Sequence, residues 1–384
     1  MMNKNIFLDY QSTTPTDPQV FMAMLPYFTD KFSNPASSNP SGIEMNAEIE
    51  ECRSVLARAI NCQPNEILFT SGATESINTA IKGIFEFANS GHVVTLKSEH
   101  SAVLNACRHL EKKGVAVTYL DVEENGLVNL QKLSEAITAN TKLVAVMQVN
   151  NEIGVIQPIE EIGKICLQKN VPLFVDAAQS FGKMEIDVGK LNISMLAVSG
   201  HKVYAPKGVG ALYVSKKIKD KIVPLLHGGG QEEGLRSGTL NVPGIVGLAK
   251  ATQIAIEQMQ TEQSRILSLR NLLLKLIQEK VSDVVVNGDL QNRIAGNLNL
   301  SFRNVSGDVL VNRLENVVVS RGSACNSSKN QGSHVLKAIG LPDELADSAI
   351  RISIGRFTTE EEIIQAAKII SSTVNTIRKI SIIA

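Results

Sequence analysis

Glu66-Ile67-Leu68-Phe69-Thr70-Ser71-Gly72-Ala73-Thr74-Glu75-Ser76 is the stretch that decides the fold. The run from Glu66 to Thr70 reads as a short apolar strand. Ser71-Gly72 turns the chain, and a helical period starts at once. Ile77, Ala80, Ile81, Ile84 and Phe85 fall at i, i+3, i+4, i+7 and i+8, which makes one apolar stripe. A strand passing through a small-residue turn into an amphipathic helix is half of a βα unit.

The same unit recurs on either side. Helical patterns at 43–60, 74–88, 101–113 and 159–169 alternate with β-branched runs at 66–70, 92–96, 115–120, 143–149, 171–176, 195–199 and 210–214. The alternation predicts an α/β fold with a mostly parallel sheet sandwiched by helices. Several runs are apolar throughout, as strands buried on both faces must be. Near residue 250 the rhythm changes. One long helix, or two joined, is predicted over 251–280, then short strands at 284–287, 295–302, 316–319 and 349–354. A final helix opens at a capping box in Thr358-Thr359-Glu360-Glu361. This reads as a smaller α+β domain. The expected division is a large domain over 15–257, with 1–14 and 258–384 forming the small one.

Composition narrows the function. The chain has 384 residues, 43% hydrophobic and 20% charged, with Lys+Arg 38 against Asp+Glu 38. Zero net charge argues against a chain-wide nucleic-acid or anionic-membrane footprint. No apolar run approaches the ~20 residues of a membrane span. The five cysteines (Cys52, Cys62, Cys107, Cys166 and Cys325) form no C-x-x-C pair, which argues against a zinc site or a disulfide framework. Met1 to Tyr10 shows no signal or transit pattern, so a reducing, cytoplasmic setting is expected.

Polar groups gather where strands end. Run 66–70 leads to Ser71-Gly72-Ala73-Thr74, run 92–96 to Glu99 and His100, and run 143–149 to Asn150-Asn151-Glu152. Run 171–176 ends at Asp176 with Gln179 beyond it, and run 195–199 leads to Ser199-Gly200-His201-Lys202. Open α/β sheets bind ligands at this edge. No G-x-G-x-x-G follows the first strand and no P-loop occurs, so dinucleotide and P-loop readings lose support. Singly, Ser71 or Thr74 is an ordinary helix cap, Asp176 another cap and Lys202 a solvated surface lysine. Together they form the set that pyridoxal phosphate requires: a phosphate cup at a helix start, an acid for the pyridine nitrogen and an amine for the Schiff base. Cys325 stands out differently. It lies in a Gly-, Ser- and Asn-rich stretch, 321–333, where Arg321 and Lys329 could lower its thiol pKa.

In this order the motifs resemble the cysteine desulfurases, fold-type I pyridoxal-phosphate enzymes of the class V aminotransferase group. The resemblance runs through Leu8-Asp9-Tyr10, Asn34-Pro35-Ala36-Ser37, Thr70 to Ser76, Glu99-His100, Val149 to Gly154, Asp176-Ala177-Ala178-Gln179 and Ser199 to Lys202. It continues through Gly228 to Glu232, Arg236-Ser237-Gly238-Thr239, Gly322-Ser323-Ala324-Cys325 and Arg351 to Glu362. Ser323-Ala324-Cys325 is similar to the long-loop group.

The resemblance implies conversion of L-cysteine to L-alanine, with the sulfur held as a persulfide on Cys325. It implies that Lys202 carries pyridoxal 5′-phosphate and moves protons, Asp176 holds the ring nitrogen, and Gln179 and Asn151 flank the ring O3′. His100 stacks on the ring and assists proton transfer. Ala73, Thr74, Ser199 and His201 hold the phosphate, while Thr239 reaches the phosphate of a second subunit in a homodimer. Asn34 and Arg351 take the substrate carboxylate. No resident metal is implied, beyond a transient contact of Cys325 with an iron–sulfur cluster. The acceptor would be an iron–sulfur scaffold or a tRNA-thiolation carrier, with no direct nucleic-acid or membrane partner. The rivals are a selenocysteine lyase, another class V enzyme such as a transaminase, and a non-catalytic sulfur carrier. A transaminase needs no loop thiol, and a carrier needs no Lys202 or Asp176.

Overall fold

The computed structural model describes residues 5–86, 90–322 and 332–383. Its strands in chain order are β1 (Ile6–Phe7), β2 (Ile67–Thr70), β3 (His92–Leu96), β4 (Ala116–Leu120), β5 (Thr141–Met147), β6 (Leu173–Asp176), β7 (Met195–Ser199), β8 (Gly210–Val214), β9 (Val284–Val286), β10 (Asn297–Phe302), β11 (Val317–Val318) and β12 (Ala349–Ser353). The largest sheet has the order β2-β8-β7-β6-β5-β3-β4. Neighbours from β4 to β7 pair in parallel, and β8 alone runs against its neighbours β7 and β2. The sheet is therefore mostly parallel, as the alternation predicts. Val144, Ala145 and Val146 of β5 and Leu173, Phe174 and Val175 of β6 are fully buried. Each of the Val, Leu and Phe side chains contributes roughly 1.5–3 kcal/mol through burial.

Register places the chemistry on one edge. Met147 pairs with Asp176, Asp176 with Ala197, Ser199 with Gly210 and Gly210 with Thr70. The C-terminal ends of β2, β5, β6 and β7 thus lie side by side, with β8 starting among them. Gly210 makes this crowding possible, because a Cβ there would lie 2.4 Å from the Val198 carbonyl oxygen and 2.6 Å from Gly72 Cα.

The second layer of structure is a small antiparallel sheet, β12-β10-β9, with the two-stranded β1–β11 pair beside it. A single helix, Val242–Gln278, serves both cores. Val242, Ile245, Leu248 and Ile254 join the core that covers one face of the large sheet. Ile266, Leu269, Leu273 and Ile277 join the core of the small sheet, with Ile6, Leu8 and Ile363.

This helix begins nine residues (251 − 242) before the predicted start. Pro243 and Gly244 read as helix breakers, but proline suits the first turn and Asn241 caps it by accepting the Gly244 N–H at 3.2 Å. The final helix, Glu360–Ile383, is capped one residue later than predicted. Thr359 Oγ1 accepts from the Glu362 N–H, and Glu362 accepts from the Thr359 N–H, while Thr358 Oγ1 takes the Gly355 N–H. Among the described residues, no helix is long and apolar enough to cross a membrane.

Candidate active site

A cavity of about 490 Å³ opens at the crowded sheet edge. Ala73, Thr74, His100, Asn151, Asp176, Gln179, Ser199, His201, Lys202 and Arg351 all line it. These side chains end or follow β2, β3, β5, β6 and β7, with Arg351 from β12 of the small sheet, so the fold gathers them from most of the chain.

At one end, the helix Ala73–Gly83 starts at Gly72 with no side-chain cap. Its first-turn N–H groups are the unpaired donors of a helix N-terminus, where anions bind. Gly72 has φ +149°, a conformation that side chains rarely adopt. Lys207 adds a basic group to the same wall, and His201 a pair of ring nitrogens. His201 is pushed down to about 4 by burial and by the charges of Lys202, Lys207 and Lys183. Its Nδ1 lies 3.1 Å from Thr13 Oγ1. Glu75 puts an acid in the same first turn, but Arg236 pairs with it at 2.8 Å.

At the centre, Asp176 Oδ1 accepts the Ala178 N–H at 3.0 Å. Burial raises its carboxyl above the usual range, against the pull of His100 and Lys202. A cation placed beside it would repair that cost. His100 caps the helix Ser101–Glu111, with Nδ1 accepting the Ala102 N–H at 3.1 Å. That contact puts the proton of the neutral ring on Nε2. Burial lowers the His100 pKa despite the attraction of Asp176, so the ring is neutral at pH 7. Lys202 Nζ donates to the carbonyls of Gln11 and Ser12 at 2.5 and 2.6 Å. Gln179 donates to the Gln11 carbonyl at 2.9 Å and accepts from Lys183 at 3.4 Å.

Arg351 forms the wall nearest the small sheet. Its Nη1 donates to the Asn151 carbonyl and its Nη2 to Asp9, both at 2.7 Å. Its Nε, with Asn151 Oδ1 and Gln11 Nε2, is buried without a hydrogen-bond partner among the described residues. Three orphaned polar atoms around one cavity are the mark of a site shaped for a polar guest. The open helix start, the basic phosphate end, the uncompensated Asp176 and the Lys202 amine fit pyridoxal phosphate in shape and charge.

Two expected site residues lie elsewhere. Asn34 and Thr239 line a second cavity of about 270 Å³ with Arg53 and Glu232, and within one chain they do not share the first. Cys325 lies outside the described residues. Arg321, expected to act on that thiol, is ion-paired with Asp308 and donates to the Asp347 carbonyl at 2.8 Å. The other four thiols, on Cys52, Cys62, Cys107 and Cys166, are each pushed up to about 12, chiefly by burial. Sequence reasoning gave no role to Gln11 and Ser12, whose carbonyls hold Lys202, or to Asp9. Asp9 stands in the quoted Leu8-Asp9-Tyr10 motif, while Gln11 and Ser12 act through backbone carbonyls, which leave no signal in side-chain pattern.

Comparison with known proteins agrees with this geometry. The class-V aminotransferase family profile matches residues 6–365. A cysteine desulfurase IscS of Rickettsia bellii is 52% identical over 98% of this chain and 92% of its own length. A solved structure titled NifS-like protein superposes with a TM-score of 0.91 at 36% identity, covering 97% of this chain and all of that one. Another, SspA in complex with cysteine, gives 0.82 at 39% identity, covering 92% and 99% of the two chains. The chain belongs to the class-V aminotransferase family and, within it, to the cysteine desulfurases.

Proposed function

We propose that this protein converts L-cysteine to L-alanine and holds the released sulfur as a persulfide on Cys325. The observation that carries the reading is the meeting of Lys202, Asp176, His100 and Arg351 on one cavity with an open helix N-terminus. Pyridoxal phosphate, when bound, supplies an electron sink for the bonds at the substrate Cα.

The chain's own groups do the rest. Lys202 would hold the cofactor through its amine and move the substrate Cα proton. Asp176 would pair with a positive ring nitrogen. Gln179 and Asn151 would hold the ring hydroxyl, and Ala73, Thr74, Ser199 and His201 would hold the phosphate. His100, neutral with its proton on Nε2, would support the ring and pass protons. Arg351, in the cavity wall, would take the substrate carboxylate; Asn34, assigned the same role, lines the second cavity of this chain.

The Cys325 thiolate attacks the substrate sulfur. An S–S bond forms and the Cβ–S bond breaks. The electron pair of that bond stays with the three-carbon unit, which takes up protons and leaves as alanine. Cysteine plus enzyme thiol thus gives alanine plus enzyme persulfide, with atoms and electrons balanced. High thiol pKa values at Cys52, Cys62, Cys107 and Cys166 argue for Cys325 as the nucleophile, since only a thiolate attacks.

A homodimer completes the site in this reading. Thr239 would reach a second subunit's phosphate. Exposed Phe21, Met22, Phe28 and Phe32 offer an apolar surface of the kind a partner copy covers. The persulfide would pass, in the cytoplasm, to an iron–sulfur scaffold or a tRNA-thiolation carrier. The test is Lys202→Ala, which should abolish borohydride-fixed cofactor and alanine formation. Normal turnover in this variant would remove the cofactor assignment.

A further inference from the structure

Glu152 is almost fully buried, and nothing in the reaction above uses its carboxylate. It follows β5 on the cavity side of the large sheet, one residue after Asn151. Its backbone is tightly held. The Glu152 N–H donates to Asn150 Oδ1 at 2.8 Å, and its carbonyl accepts from Asn297 at 3.1 Å and Asn299 at 3.3 Å, both in β10 of the small sheet.

The carboxylate reaches described residues on both sides of Cys325 in the chain, Gly322 before it and Ser333 after it. Ser333 donates its hydroxyl to Oε2. On the other flank Gly322 lies so near that a Cβ there would sit 2.8 Å from the same oxygen.

Both flanks are also tied to the cavity. His334, next to Ser333, donates from Nε2 to the Glu99 carbonyl at 2.9 Å, beside His100. Ser320, two residues before Gly322, exchanges backbone hydrogen bonds with Arg351 at 2.6 and 3.1 Å. One carboxylate oxygen therefore lies against both Gly322 and Ser333, and the Glu152 backbone joins the large sheet to the small one.

We infer that Glu152 is a positioning residue for sulfur abstraction, fixing Gly322 and Ser333 against the end of β5 so that Cys325 is presented at the substrate sulfur. The inference rests on the reading that Cys325 is the sulfur acceptor. A burial role alone would have been met by an apolar side chain, and a carboxylate is costly here unless its hydrogen bonds serve.

The test uses the full chain with bound cofactor and L-cysteine. Three quantities are followed: the change in cofactor absorbance when cysteine binds, the single-turnover rate of persulfide formation on the protein, and the thermal midpoint. A displacement of about 1 Å can cost about a hundredfold in rate. Glu152→Ala should slow persulfide formation by roughly tenfold to a hundredfold, with cofactor retention and half-saturating cysteine for the absorbance change within about twofold. Ser333→Gly, which keeps an acceptable helix N-cap, should reproduce the loss. Glu152→Gln retains an acceptor for Ser333 and should recover most of the rate.

An undiminished persulfide rate in Glu152→Ala or in Ser333→Gly would overturn the proposal. So would a rate loss that merely tracks loss of cofactor and thermal midpoint, which would make Glu152 a structural strut. Cys325→Ser separates the parent reading: persulfide that survives there refutes Cys325 as acceptor, whatever the Glu152 variants do.

Discussion

Nη2 of Arg351 lies 2.7 Å from Oδ1 of Asp9, joining β12 to the N-terminal segment across the cavity wall. Arg351 is 1% exposed, so the pair is shielded from water. Removing one partner of a buried pair leaves an uncompensated charge and costs about 3–5 kcal/mol. Asp9→Asn should therefore lower the unfolding free energy by that order, measured by denaturant titration. Arg351→Ala should in addition raise the KM for L-cysteine roughly tenfold or more, the worth of one hydrogen bond to a charged group. An unchanged KM would take the carboxylate away from Arg351.

Asp176 is held by one backbone N–H and raised by burial. Asp176→Asn keeps the shape and removes the charge that a protonated ring needs. Alanine formation should fall on the order of a hundredfold or more, with weaker retention of the cofactor on dialysis. Absorbance after dialysis and amino-acid analysis of the product check both halves.

His201 gives a pH signature. It titrates near 6.5 when unfolded and is pushed down to about 4 in the fold. Between those values the unfolded chain binds more protons, so stability falls as pH falls through that window. Cofactor-free protein should show this loss in urea titrations from pH 7 to pH 4, and His201→Asn should flatten it. Bound phosphate favours the protonated ring, so the loaded protein should lose less.

The second cavity yields a test of its own. Glu232 takes Arg53 in a two-pronged pair, both contacts at 2.8 Å, and accepts the Phe69 N–H at 2.7 Å. Glu232→Ala should cost about 3–5 kcal/mol. Because Thr239 lies in the same cavity, it should also weaken self-association in sedimentation. A dimer of unchanged strength would separate Thr239 from the subunit boundary.

Legibility followed the range of each interaction. The α/β alternation and the polar strand ends come from local periodicity and turn chemistry, so β3, β7 and β8 match their predicted bounds. Helix ends were less legible. Asn241 overrides the breaker signal of Pro243 and Gly244, and Thr359 takes the cap expected at Thr358. Contacts such as Asp9 with Arg351, or Lys202 with the carbonyls of Gln11 and Ser12, join distant parts of the chain and leave no pattern in it. The placement of Asn34 and Thr239 in a cavity apart from the first depends on how loops pack, which periodicity does not encode.

The central claim is that Cys325 receives the sulfur. Intact-mass measurement of the loaded protein after one turnover with L-cysteine tests it most directly, comparing the native chain with Cys325→Ser. The native chain should gain one sulfur atom, removable by a reducing thiol and mapping to the peptide that contains Cys325, while Cys325→Ser binds cysteine at the cofactor and gains none. One added sulfur on Cys325→Ser, or on Cys52, Cys62, Cys107 or Cys166 of the native chain, would contradict the account.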